Sequence, residues 1–267
     1  MGSFANSCGC IQEEEHQNEV VVATTKQMQP AKDSLHQFPA ELDLKETDQD
    51  VLKLQRQIAE ESLEYVEETR LPNDMQSLYT GYIDPYTNQK QGQGTKIFKN
   101  GDKYIGEWVR NKATGKGKFL HSDGDVYEGF WLNDKAHGFG IYSACDGSRY
   151  QGYWQDDLQH GQGHESWTDG SSYVGEYKQG EKSGKGTYKY KDGGVYDGHW
   201  LNNNMNGVGT YTWTDGKTYT GQWKDNNMHG QGVFDWPDGR RYEGEYVADK
   251  KEGFGIYTWP NGRQYAG

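Results

Sequence analysis

Glycine supplies 37 of the 267 residues, about one in seven, and hydrophobic types reach only 32%, which excludes a large aliphatic enzyme core and leaves core building to 20 Tyr, 9 Trp and 8 Phe. The net charge is −12; residues 1–78 hold 6 basic and 16 acidic residues, or −10 of it, and the remainder is close to neutral at −2. Neither part supplies the basic field that nucleic acid requires, three cysteines (Cys8, Cys10 and Cys145) are too few for a disulfide scaffold or a structural zinc site, and no apolar run is long enough to cross a membrane.

Residues 1–40 are polar and unpatterned, with Pro30 and Pro39, and read as a flexible, disordered lead. There is no secretory pattern, so the expectation is a chain that is neither secreted nor integral. The first residues, MGSFANSCGC, would expose Gly2 once Met1 is removed, but Asn6 stands where a myristoylation site carries Ser or Thr. Gly2, Cys8 and Cys10 are candidate acylation sites, since one myristoyl chain needs a second anchor for stable attachment and no polybasic stretch offers one. The alternative is an ordinary start with two free cysteines.

Residues 41–72 change character. Thr47 and Asp50 resemble an acidic capping box, and Val51, Leu54, Ile58, Leu63 and Val66 fall at mainly helical spacings up to Pro72. The pattern predicts an acidic helix over about 48–68. It would either cap the first hairpin of the array downstream or dock a partner; its Glu60, Glu61, Glu64, Glu67 and Glu68 suit a basic protein surface better than anionic lipid.

From residue 79 the chain repeats. Tyr79, Tyr104, Tyr127, Tyr150, Tyr173, Tyr196, Tyr219, Tyr242 and Tyr265 are spaced by 25 residues once and by 23 seven times, and each is followed two places later by Gly. A G-x-G pair comes next in every unit, such as Gly115 and Gly117 or Gly230 and Gly232, and Asp-Gly or Asn-Gly closes it, a signal for a turn needing positive φ. Each unit is therefore a hairpin plus a connecting turn.

Period-two placement puts Tyr219, Gly221 and Trp223 on one face, with Thr220 and Gln222 on the other. Tyr104, Gly106, Trp108, Tyr127, Trp131, Tyr150 and Trp154 repeat that placement. The glycines then read as sockets into which rings lie across the sheet. The expected fold is an all-β repeat, an elongated array of stacked β-hairpins in which eight units span roughly 75 to 80 Å. Tyr265 to Gly267 begin a ninth, leaving a C-terminal edge available for end-to-end or dimer pairing.

The recurring Y-x-G-x-W…G-x-G…D-G pattern over residues 79–267, clearest in YIGEW at Tyr104–Trp108, YTGQW at Tyr219–Trp223 and YVGEY at Tyr173–Tyr177, resembles the membrane occupation and recognition nexus (MORN) repeat family. In unit one Ile83 replaces the usual aromatic. The resemblance implies a hairpin rod of the kind found in junctional membrane proteins, ciliary and axonemal components and cytoskeletal scaffolds.

Catalysis has no residues to carry it. His137, His160 and His229 occupy one repeat register, and neighbours about 10 Å apart cannot share a zinc ion. The G-x-G pairs lack the third glycine and the following helix of a dinucleotide site, and the Asp-Gly turns lack the ligand pattern of an EF-hand. No cofactor or metal is expected. On the mostly polar outward face, Phe130, Phe139, Ile141 and Tyr153 form a candidate protein-contact patch; the alternatives are cover by the N-terminal segment or exposed apolar groups without a role.

The expected function is a non-catalytic scaffold or spacer rod that assembles proteins in a ciliary, axonemal or other cytoskeletal structure, located in cytoplasm, cytoskeleton or cilium. The alternative is a peripheral membrane tether or lipid-recognition module, acylated and held at the cytoplasmic face of a membrane.

Overall fold

The computed structural model describes residues 63–267, which form eighteen strands in a single open antiparallel sheet. Each strand pairs with the next one in the chain, so sheet order follows chain order without a crossover. Seventeen inter-strand steps of about 4.8 Å give a rod roughly 80 Å long.

One unit explains the rest. In β4 (Lys103–Val109) and β5 (Lys112–Leu120), Tyr104 stands opposite Phe119, Gly106 opposite Gly117 and Trp108 opposite Ala113. The two steps from Gly106 to Trp108 match four steps from Gly117 back to Ala113, so β5 bulges, and Gly115 takes φ +89° within the bulge. Such bulges bend and twist the sheet. The two glycines of each G-x-G pair therefore do different work. Only the second, with the glycine after the Tyr, makes a ring socket; the first permits the bulge.

The turn after β4 is also tighter than the Asp-Gly signal suggested. Arg110 and Asn111 both have positive φ, 48° and 70°, a two-residue type I′ turn whose twist matches the strands. Asp-Gly sits instead in the longer link to the next unit, where Gly124 takes φ +102° and its N–H donates to His121 O. The Asp before it closes an Asx turn: Asp169 Oδ1, for example, accepts from Ser171 N at 2.9 Å.

The helix expected over 48–68 is corrected where it is described. Glu64–Leu71 form strand β1, paired with β2 (Asp74–Asp84) through Tyr65 opposite Tyr82 and Val66 opposite Gly81; residues 1–62, including the rest of that helix and the flexible lead, lie outside the described residues. Tyr65, Val66 and Thr69 favour strands, and the exposed edge of β2 offers a row of backbone partners that a helix would leave unmatched. The edge is thus covered by pairing. Leu71, 2% exposed, joins the core, and Val66 packs against it.

Candidate docking face

The ring-bearing face is built from two rows. In the first, Tyr104 lies over Gly106 and Gly117 and its hydroxyl donates to Glu107 O at 3.1 Å. Tyr127, Tyr150, Tyr173, Tyr196 and Tyr219 repeat that bond to the residue three places on. The second aromatic of each unit then wedges edge-on between its own Tyr and the one before. Trp131 stands 5.1 Å from Tyr127 and 5.2 Å from Tyr104, near-perpendicular to both, and its indole N–H donates to Gly117 O. Trp108, Trp154, Trp200 and Trp223 make the same bond to the preceding unit. Each edge-to-face pair contributes roughly 0.5–1.5 kcal/mol beyond its burial, and the Trp bond ties neighbouring units together.

At Tyr177, which replaces the Trp, the hydroxyl donates to Glu165 Oε2 at 2.7 Å instead of to the preceding unit's glycine carbonyl. Glu165 also lies 3.7 Å from Lys182 Nζ, whose ammonium stands over the rings of Trp167 and Tyr173. Burial pulls the Lys182 ammonium below its usual range, outweighing Glu165. Lys90 and Lys251 occupy the same repeat position and likewise place a cation on the ladder, over Tyr79 and Trp108 and over Tyr242 and Trp236.

The second row, only partly buried, lies beside the first. It runs by direct ring contact from Trp167 through Tyr188, Tyr190, Tyr211, Trp213, Phe234, Trp236 and Tyr257 to Trp259. Phe98 and the buried Phe119 form a separate stretch nearer the other end. Between the two stretches, Ala144 and Glu165 stand at positions that elsewhere hold Tyr190, Trp213 and Trp236, or Phe119, Tyr188 and Phe234. There the face opens into a cleft of about 450 Å³ walled by Tyr142, Trp154 and Trp167. Four carboxylates, Asp125, Asp146, Asp157 and Glu165, border it against one guanidinium, Arg149. Burial works against the Asp125 charge, but hydrogen bonds from Tyr142 Oη and Cys145 N hold that carboxyl below its usual range. The cleft was missed in the sequence; superposing the units by position after each Tyr would have exposed both missing rings.

On the outward face Phe139 and Tyr153 are register partners with rings 5.7 Å apart, Phe130 packs against the bulge at Gly138, and Ile141 stands opposite Gln151. All four are half-buried. The corresponding Glu107 and Glu176 instead accept the N–H of Lys116 and Lys185. His137 and His160 keep one repeat register, with Nδ1 buried in each. Gly2, Cys8 and Cys10 lie outside the described residues.

The family model "MORN repeat" matches eight consecutive segments, 88–103, 104–126, 127–149, 150–172, 173–195, 196–218, 219–240 and 242–262. The chain belongs to the MORN repeat family. The MORN boundaries at 104, 127, 150, 173, 196, 219 and 242 coincide with the ladder tyrosines, so each MORN unit starts on the strand that seats its ring. The family is one of repeat scaffolds and is not typically enzymatic. No curated protein matches this MORN chain. Among solved structures, the TCP10 domain of Danio rerio CPAP in complex with a peptide of Danio rerio STIL is 15% identical, covering 71% of this chain and 82% of that one, with TM-score 0.42. The TCP10c domain of Drosophila melanogaster Sas-4 is 12% identical, covering 66% and 91%, with TM-score 0.25. A streptogramin B lyase is 12% identical, covering 77% and 72%, with TM-score 0.16. At these scores none of the three bears on what this chain binds.

Proposed function

We propose that the chain is a non-catalytic rod that spaces and docks other proteins within a cytoskeletal assembly, a cilium or axoneme being the setting the family resemblance favours. The observation that carries this reading is the second ring row, which among the described residues lies partly exposed along a single-layer sheet. The outward patch of Phe130, Phe139, Ile141 and Tyr153 is a second contact surface in this reading. Pairing with another copy through the strand Gln264–Ala266, where Tyr265 is exposed, would extend the rod. Gly2, Cys8 and Cys10 favour a second reading, a rod tethered to the cytoplasmic face of a membrane by acyl chains.

The test is a C-terminally tagged full chain expressed in its own cells and fractionated into membrane and detergent-resistant cytoskeleton. Gly2→Ala and Cys8→Ser/Cys10→Ser versions run alongside. Retention with the cytoskeleton in all versions supports the scaffold; loss of membrane recovery in the variants supports the tether. The double change Phe130→Ala/Tyr153→Ala is expected to weaken partner recovery with the array still folded, and unchanged recovery would remove the patch from the reading.

A further inference from the structure

Two units carry Tyr where the others carry Trp or, in the first, Ile, and both set Lys opposite it: Tyr177 pairs with Lys182 and Tyr246 with Lys251. They differ in one group. At the first, the Glu165 carboxylate of the preceding unit accepts from Tyr177 Oη at 2.7 Å and lies 3.7 Å from Lys182 Nζ, so one acidic side chain serves both. At the second, the position of Glu165 is held by Phe234, whose ring packs on Trp213 and Trp236 and offers no acceptor. Tyr246 is 2% exposed, and its hydroxyl has no hydrogen-bond partner among the described residues. Lys251 Nζ lies over the rings of Tyr242, Trp236 and Tyr257 at 4.2, 5.0 and 5.5 Å, yet no carboxylate pairs with it among the described residues. Burial, with Arg240 adding to it, pulls this ammonium below its usual range unopposed, whereas Glu165 opposes the same fall at Lys182. A buried donor without an acceptor and a cation without a counter-charge are thus set side by side by strand register, and they are the same two groups that Glu165 bridges in the sister unit.

We infer that Lys251 and Tyr246 receive the carboxylate of a glutamate carried by an acidic, extended segment of a partner protein. The carboxylate enters over the exposed Lys251, and the half-buried Phe234 ring, which has no hydrogen bond to break, turns aside to bring it to Tyr246 Oη. Charge agrees. Period-two placement keeps Glu243, Glu245 and Glu252 on the outward face, so the ring face at this end presents Lys251, Arg240 over Trp236 and Arg263 over Trp259, with Asp238 paired to Arg240. A carboxylate is favoured over a lipid phosphate, since the group that the fold itself places on such a Tyr and Lys pair is a carboxylate. This inference rests on the docking-rod reading and names the partner chemistry at one place on its ring face.

The probe is an acetylated, amidated Gly-Ser-Gly-Glu-Gly-Ser-Gly peptide, titrated into the full chain and followed by the ring signals of Tyr246 and Phe234 and the indole N–H signals of the tryptophans. A glutamine version serves as comparison. The expected result is saturable shifts at Tyr246, Phe234 and Trp236 that are absent with neutral glutamine. Phe234→Glu supplies the carboxylate from within, as Glu165 does; it should keep the fold and weaken the peptide about tenfold or more. Lys251→Gln, at an exposed position, should do the same, and Tyr246→Phe, which loses only the hydroxyl, should weaken it less. Glutamine binding as well as glutamate, shifts spread evenly over all tryptophans, or full binding by any of the three variants in folded form would each overturn the proposal. So would phosphatidylserine vesicles that bind the chain through Lys251 while the peptide does not. Recovery of cellular partners by the tagged chain separates the two levels: normal recovery without glutamate binding defeats only this inference, and loss of both defeats the docking reading too.

Discussion

A methyl group at Gly117 would lie 2.6 Å from Tyr104 Cζ, closer than real side chains approach. The ring cannot step aside, because its hydroxyl is anchored to Glu107 O and its faces are held by Trp108 and Trp131. Gly117→Ala is therefore expected to destabilise the chain by about 2–4 kcal/mol in urea unfolding, a small-to-large change that acts like the loss of a core side chain. Burial also sets how the array meets alkali. It pushes the Tyr190 and Tyr219 hydroxyls up to about 12 and raises those of Tyr104, Tyr127, Tyr150, Tyr173 and Tyr196 further. An unfolded tyrosine ionises near pH 10, so above that pH the unfolded chain sheds protons that the fold keeps. The stabilisation from neutral buried hydroxyls is complete below about pH 10 and is lost as the pH climbs through about 12. Tyrosinate absorbance should accordingly rise together with the loss of strand circular dichroism; ionisation of the ladder with the sheet intact would contradict this.

At the scale of elements, the tight turns clasp one another. Asp134 Oδ1 accepts from Ala113 N at 2.8 Å while Asp134 N donates to Ala113 O, so each turn grips the turn before it at two points. Asn111, Asp157, Asn203, Asn226 and Asp249 do the same. Gly180 keeps the backbone bond to Gln159 O at 2.9 Å but has no side chain to complete the pair. A Cβ there would meet Leu158 at an ordinary 3.8 Å, and φ +84° is a region Asn tolerates better than most residues. Gly180→Asn should therefore stabilise the chain by about 1 kcal/mol, read as a raised urea midpoint with an unchanged slope. The hairpins, the ring face and the sockets were legible because one spacing placed Tyr and Gly in every unit and Trp in most of them. The clasps were not, since Asn111 and Lys90 are linked only once two turns stack. Nor was β1: Val51, Leu54 and Ile58 suggested a helical period, whereas Tyr65 and Val66 answer to the open edge of β2. The cleft lay between these cases, visible as two missing rings at Ala144 and Glu165 only after units are compared with each other.

For the whole molecule, the period is a mechanical tolerance on length. Excising residues 196–218 removes 23 residues and joins Val195 to Tyr219, so that every remaining Tyr still meets its glycine pair. The chain is expected to stay folded and shorten by roughly 10 Å in small-angle X-ray scattering. Excising 22 residues instead turns the following side chains to the wrong face and should split or unfold the array.

The chain-order pairing of the strands has a consequence under load. Tension applied along the rod pulls across the strands, so it opens their hydrogen bonds one strand at a time instead of shearing many at once. A unit of 23 residues that lets go would lengthen from about 10 Å to at most roughly 80 Å of extended chain while its neighbours hold. The step at Gly180 and Tyr177 is held differently from the rest: one clasp bond and the indole bond are missing, and the contacts of Tyr177 and Lys182 with Glu165 of the preceding unit stand in for them. A strained assembly built on this rod would yield one unit at a time, taking up slack in discrete lengths before any terminal attachment is torn away.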